Sequence, residues 1–122
     1  MSRDLYDRAV AISERAYAPY SNYLVGAAVR TRDGKIFEGV NVENAAYPLG
    51  VCAEKTAIAK AVSEGYRPGD LAAIGITASP CGGCRQWLYE FGIEEVTFVG
   101  SGGELVTYSA ADLLPDTWDL PD

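Results

Sequence analysis

The chain carries three cysteines, and all of them fall in two short motifs, Cys52-Ala53-Glu54 and Pro80-Cys81-Gly82-Gly83-Cys84. Each motif opens a segment that reads as a helix. At a helix start, unpaired backbone N–H groups and the positive end of the helix dipole stabilise a thiolate. Gly82-Gly83 lets the backbone pass close to a metal, and Cys81 and Cys84 then share a helix face, one turn apart. Three thiolates give three ligands, and zinc with three protein ligands keeps a fourth position open for water or substrate. The sequence has no histidine, so a closed structural site would need a carboxylate as its fourth ligand, a less typical choice. The ligand count therefore favours a catalytic metal. It also excludes a histidine-based triad and any histidine-ligated metal within this chain.

Glu54 stands two residues from Cys52, near the metal without having to bind it. A carboxylate there can take a proton from an activated water and return it to a leaving group. Three thiolates around a divalent ion leave excess negative charge, and Lys55 and Arg85, each adjacent to a motif, are candidates to offset it. Two other readings of the same residues stay open. Cys81 and Cys84 by themselves fit a redox dithiol, which leaves Cys52 and Glu54 without a task. A small zinc-stabilised binding module fits the cysteines but lacks a fourth ligand.

The motifs need a scaffold, and the rest of the chain describes one. Leu5, Ala9, Ile12 and Ala16 recur at helical spacing, with a stop before Pro19. Leu24 to Arg32 and Lys35 to Val42 read as strands joined through Asp33-Gly34, a hairpin signal. Asn44 to Val51 is a loop, and Cys52 to Glu64 a helix with Ala53, Ala57 and Ala61 on one face and Gly65 beyond its end. A buried strand over Leu71 to Ala78, a helix from Cys81 or Gly82 to about Phe91, strands at Glu95 to Gly100 and Glu104 to Tyr108, and a short helix at Ala110 to Leu114 follow. Strands alternating with helices imply a layered α/β domain with a mixed sheet. No repeat or linker divides the sequence, so residues 1–122 read as one domain.

Composition narrows the partners. A net charge of −7 with scattered Lys and Arg gives no positive footprint for a phosphate backbone, which excludes nucleic acid and favours a small neutral substrate. The tail Asp112–Asp122 is acidic and reads as a solvated end. No apolar run is long enough to span a bilayer, and the charged first residues lack a signal-peptide centre, so a cytoplasmic setting without membrane contact is expected. That compartment keeps thiols reduced. A domain of this size must form both a core and a pocket, which favours pockets shared between subunits.

Taken with their surroundings, these motifs resemble the small homotetrameric cytidine deaminases along nearly the whole chain. The segment from Pro19 to Ala28 is similar to that family's substrate-approach segment, and Gly39 to Tyr47 to its ribose-binding strand. Cys52-Ala53-Glu54 and Ser79 to Gln86 resemble its zinc motifs, and Leu113-Leu114-Pro115 followed by an aromatic its C-terminal signature. The resemblance implies a three-layer α/β/α fold with a mixed sheet of about five strands. It implies one Zn2+ per subunit on Cys52, Cys81 and Cys84, with Glu54 as proton shuttle, and hydrolytic release of ammonia from a pyrimidine nucleoside, cytidine or deoxycytidine. Asn41 and Glu43 are implied to hydrogen-bond the ribose, as residues two apart on a strand share a face, and the Ala53 backbone to hold the base carbonyl. Tyr23 falls where the family usually places Phe against the nucleoside, and Trp118 where a neighbouring subunit supplies a C-terminal Phe. Tyr47 is implied to approach across the same kind of interface. Lys55 departs from the family's usual Arg: Arg can fork two hydrogen bonds to thiolates, whereas Lys is a compact charge. Another aminopyrimidine nucleoside is the alternative substrate.

Overall fold

Alternation along each strand sorts the chain into layers. The computed structural model describes residues 1–118; positions 119–122 of the acidic tail lie outside the described residues. Nine principal elements follow in order: α1 (Arg3–Ser13), β1 (Gly26–Thr31), β2 (Ile36–Val40), α2 (Ala53–Ser63), β3 (Leu71–Ile76), α3 (Gly82–Glu90), β4 (Glu95–Val99), β5 (Leu105–Tyr108) and α4 (Ala110–Leu113). The strands form one five-stranded sheet in the order β2-β1-β3-β4-β5, in which β3 and β4 pair in parallel and the other pairs are antiparallel. Parallel neighbours require a crossover, and α3 supplies it between β3 and β4.

On β1, Ala27 and Val29 face a core shared with α2, α3 and α4, while Ala28 faces Leu5 of α1. On β3, Ile74 and Ile76 join the first core and Ala73 the second. Successive side chains thus leave the sheet on opposite sides, with α1 covering one face and the other helices the opposite face. The larger core contains Ile58, Ile74, Ile76, Leu88 and Val96, all without solvent exposure. The mixed, three-layer α/β/α architecture expected from the sequence is the one observed.

Two details differ from the sequence reading. The loop before α2 contains a 3-10 turn, Tyr47–Leu49, where Pro48 presets the backbone. β2 ends at Val40, so Asn41 and Glu43 lie beyond the strand instead of on it. The chain there stays extended because Val42 bridges both Tyr17 and Val51, which ties the stretch before α2 to the stretch after α1.

Helix α2 lies unusually close to the sheet, and Gly39 is the reason. A Cβ at Gly39 would stand 2.4 Å from the Ala57 backbone nitrogen and 2.8 Å from the Ala53 carbonyl oxygen, and both of those atoms belong to the helix backbone. Gly75 does the same for α1 across the sheet, where a Cβ would fall 2.3 Å from the Tyr6 nitrogen. Only glycine leaves this room. Because Ala53 is the first residue of α2, Gly39 also sets where the Cys52 motif sits. Gly39→Ala is therefore expected to lower stability by about 2–3 kcal/mol through overpacking against helix backbone. Urea unfolding of the variant checks this, and an unchanged midpoint would refute the close-contact account.

Candidate active site

Two helix starts meet at one place. Cys52 immediately precedes α2, and Cys81 immediately precedes α3. The loop from β3 into α3 is pinned to β1 on both sides, since Thr77 N–H donates to the Gly26 carbonyl at 3.1 Å and Gly26 N–H donates to Thr77 Oγ1 at 3.0 Å. Val42 and Val51 exchange backbone hydrogen bonds of 3.0 and 2.9 Å just ahead of Cys52. These ties bring the sulfurs of Cys52, Cys81 and Cys84 within 4.8 Å of one another. Zinc bonds of about 2.3 Å place tetrahedral thiolates about 3.8 Å apart, so a small contraction suffices and the donor set fits the ion.

The site favours a thiolate at Cys52. Cys84 N–H donates to Cys81 Sγ at 3.5 Å, directing helix-start polarity onto sulfur. Hydrogen bonding from the Cys84 thiol lowers the Cys52 pKa to about 6, with Cys81 and the Lys55 charge acting in the same direction. The same shared proton, with burial and the nearby Glu54 charge, pushes Cys84 up. Glu54 is 3 % exposed, and burial pushes its carboxyl above the ordinary glutamate range. Burial thus favours the neutral form of this carboxyl more than solvent would.

The two cations singled out beside the motifs take different places. Lys55 lies close enough to stabilise the Cys52 thiolate. Arg85 instead commits its planar fork to the loop: Nε donates to the Pro80 carbonyl at 2.8 Å, Nη1 to the Leu113 carbonyl at 3.2 Å and Nη2 to Ser79 Oγ at 3.3 Å. It braces the turn that carries Cys81 and ties that turn to the end of α4.

A cleft of about 320 Å³ opens beside the sulfurs, lined among others by Tyr23, Asn41, Glu43, Tyr47, Ala53 and Glu54. The metal-site and ribose-side candidates thus share one cavity, of the size small-molecule sites have. A larger groove of about 590 Å³ runs between α2 and α3. It holds no cluster of metal-ligating side chains among the described residues, so size alone does not mark the reactive place.

Asn41 and Glu43 are held firmly by the segment that follows α1. Asn41 Oδ1 accepts from Val25 N–H at 2.9 Å, and its Nδ2 donates to the Tyr23 carbonyl at 2.9 Å. Glu43 accepts from the Tyr20 and Ser21 amides at 3.0 and 3.1 Å and from the Ser21 hydroxyl. The Ser21 hydroxyl is the main cause that holds the Glu43 carboxyl below its ordinary range. Each side chain keeps hydrogen-bonding capacity towards the cleft, because a carboxylate offers about four lone-pair sites and an amide two donors and two acceptors. Tyr23, Tyr47 and Trp118 are 60 %, 73 % and 69 % exposed. The first two line the cleft, whereas Trp118 is not among its lining residues.

The sequence taken alone singles out none of three further contributors. Ser21 is recognisable as the Glu43 partner only once the chain folds back. Ser79 lines the cleft and meets Arg85. Trp87 stands beside Lys55, its ring centroid 5.9 Å from Nζ. Its spacing of four residues from Gly83 is the one signal that could have found it.

Comparison with known proteins agrees with this geometry. The family model for the cytidine and deoxycytidylate deaminase zinc-binding region matches residues 1–100. A probable cytidine deaminase of Dictyostelium discoideum is 45% identical over 123 residues, covering 95% of this chain and 82% of its own length. The cytidine deaminase of Sporosarcina psychrophila is 42% identical, covering 89% and 85%. Among solved structures, cytidine deaminase from Burkholderia pseudomallei superposes with a TM-score of 0.88 at 46% identity, covering 97% of this chain and 99% of that one.

The clasp on Glu43 yields a pH signature. Its folded pKa is depressed, so the stability it confers is present above the unfolded value and is lost as pH falls through the folded one. The Tyr20 and Ser21 amide resonances should titrate together, with a midpoint below that of a free glutamate. Glu43→Gln should abolish that titration, and its persistence in the variant would reject the clasp.

Proposed function

The chain belongs to the cytidine and deoxycytidylate deaminase family of zinc-dependent hydrolases, and from that premise we propose that it hydrolyses the exocyclic amine of cytidine and deoxycytidine, releasing ammonia. The observation that carries this reading is the convergence of three cysteine sulfurs within 4.8 Å beside the buried carboxyl of Glu54, at the floor of a nucleoside-sized cleft.

Cys52, Cys81 and Cys84 hold the zinc. Bound there, the ion supplies the Lewis acidity that brings a water towards hydroxide near neutral pH. Glu54 accepts the proton as the water oxygen adds to C4 of the base. It then delivers a proton to the C4 nitrogen, which leaves as ammonia, and the base becomes uracil. Burial suits Glu54 to both transfers, since a raised pKa makes the neutral form accessible. The Ala53 amide, at the first position of α2, points helix-start polarity at the base carbonyl. Asn41 and Glu43, already fixed by the Tyr20–Val25 segment, offer their remaining hydrogen-bonding sites to the ribose hydroxyls. Tyr23 stacks on the nucleoside from the rim, with its hydroxyl in solvent. Among the described residues the cleft is lined by no Lys or Arg, which suits the free nucleoside better than a phosphorylated one.

The exposed aromatic rim supports a site completed by neighbouring subunits. Tyr47, Leu49 and Trp118 are 73 %, 70 % and 69 % exposed, a costly display of apolar surface for an isolated subunit. In a homotetramer, Tyr47, which lines its own cleft, would meet the neighbouring subunit, and Trp118 would reach a neighbouring cleft. Among the described residues no helix is long and apolar enough to cross a membrane. Free thiols at all three positions suit a reducing, cytoplasmic setting.

Ammonia release from zinc-loaded protein given cytidine or deoxycytidine tests the reaction. Glu54→Ala should retain zinc and lose at least about 10³-fold in kcat, in the range general acid–base catalysis supplies; substantial residual turnover would sink its assigned role. Cys84→Ala should lose the metal and melt at lower temperature, because metal binding is coupled to folding. Metal analysis together with calorimetry reads both effects.

A further inference from the structure

Lys55 has an anchor that the mechanism has not yet used. None of the four ion pairs among the described residues involves it. Its Nζ instead lies over the Trp87 indole, 5.9 Å from the ring centroid, within the range of a cation–π contact. Both groups lie near Gly83: a Cβ there would stand in ordinary contact with Lys55 Nζ at 3.7 Å and with Cys81 Sγ at 4.0 Å. The ammonium and the Cys81 sulfur therefore flank a common point at the start of α3. Gly83 and Trp87 are four residues apart, on one helical face. That face presents a bare backbone where the ammonium approaches the sulfur and an aromatic surface one turn later.

An ammonium beside a helix N-terminus works against the helix dipole. It stays there only if the thiolates attract it and something fixes the long, flexible side chain. Arginine can fix itself by forking onto two thiolates, but a lysine ammonium is a compact charge without that geometry. We propose that Trp87 is a positioning residue for the metal centre, its indole face holding the Lys55 ammonium beside Cys52 and Cys81 so that the charge acts on the metal-bound thiolates. This rests on the zinc-site reading above. With the cation in place the sulfurs donate less charge to the metal, which leaves the metal a stronger Lewis acid. Without Trp87 the ammonium swings into water, where its pull on sulfur is screened.

The test uses cobalt in place of zinc, because the sulfur-to-cobalt absorption band reports the energy of the sulfur electrons. Trp87→Leu should move that band to lower energy, as Lys55→Gln should, and should lower kcat of the zinc enzyme about two- to fivefold, the range expected from an exposed cation–π contact, with KM within twofold. Trp87→Phe, which keeps an aromatic face, should restore most of the band position and the rate. In a Lys55→Gln background, Trp87→Leu should change neither quantity further. The proposal is overturned if Trp87→Leu leaves the band where it was, if Trp87→Phe behaves as Trp87→Leu, or if the effect persists in full without Lys55. A wild-type chain that shows no cobalt–thiolate band at all would instead bring down the zinc-site reading, and this proposal with it.

Discussion

Three cysteine sulfurs crowded within 4.8 Å of one another, which a metal would hold as thiolates, pose an electrostatic problem around which the surrounding structure is organised. Bringing like charges this close, partly out of water, is unfavourable unless opposite charge or oriented dipoles meet them. Two helix starts provide the dipoles, and Lys55 provides the cation. The dipoles are in place because β3 and β4 run parallel: the crossover between them delivers α3 with its start at the end of β3. The second helix start arrives from a different part of the sheet, and its position depends on how closely α2 can lie against β2. A chain-wide constraint therefore converges on a few ångströms of sulfur.

Much of this is legible in the residues. The cysteine motifs, the absence of histidine and the flanking glycines point to the metal chemistry before any fold is known. Hydrophobic spacing gives the order of helices and strands, because helical and strand periods differ enough to be told apart in segments such as Leu5 to Ala16 and Leu71 to Ala78. What spacing does not reveal is which polar groups meet across long separations. Ser21 and Glu43 are brought together by the return of the chain after α1. Arg85 looks like a neighbour of Cys84 and therefore of the metal, yet the geometry of a rigid guanidinium sends it to three oxygens of the loop and of α4. Asn41 and Glu43 illustrate the same limit: strand-like alternation runs past the last ladder pair, because the bridges of Val42 hold that stretch extended without a continuous partner.

In those two side chains the proposed substrate contacts coincide with groups that hold the fold together. Asn41 spans the Tyr23 carbonyl and the Val25 amide, while Glu43 gathers the turn at Tyr20 and Ser21. Both side chains are thus already immobilised by the protein, so in the proposed role little side-chain freedom would be left to lose on binding. The arrangement also makes the segment that carries Tyr23 dependent on the residues it faces.

Seen as a cross-link, the cysteine cluster does more than hold an ion. Cys81 and Cys84 sit in one helical turn, so joining them restrains the unfolded chain little. Joining either to Cys52 closes a loop that contains all of α2 and β3, and removes the freedom such a loop would have when unfolded. A metal held there would act as a reversible staple between the two helix starts, comparable in effect to a disulfide but removable by a chelator. Metal supply and resistance to unfolding become one property of this chain.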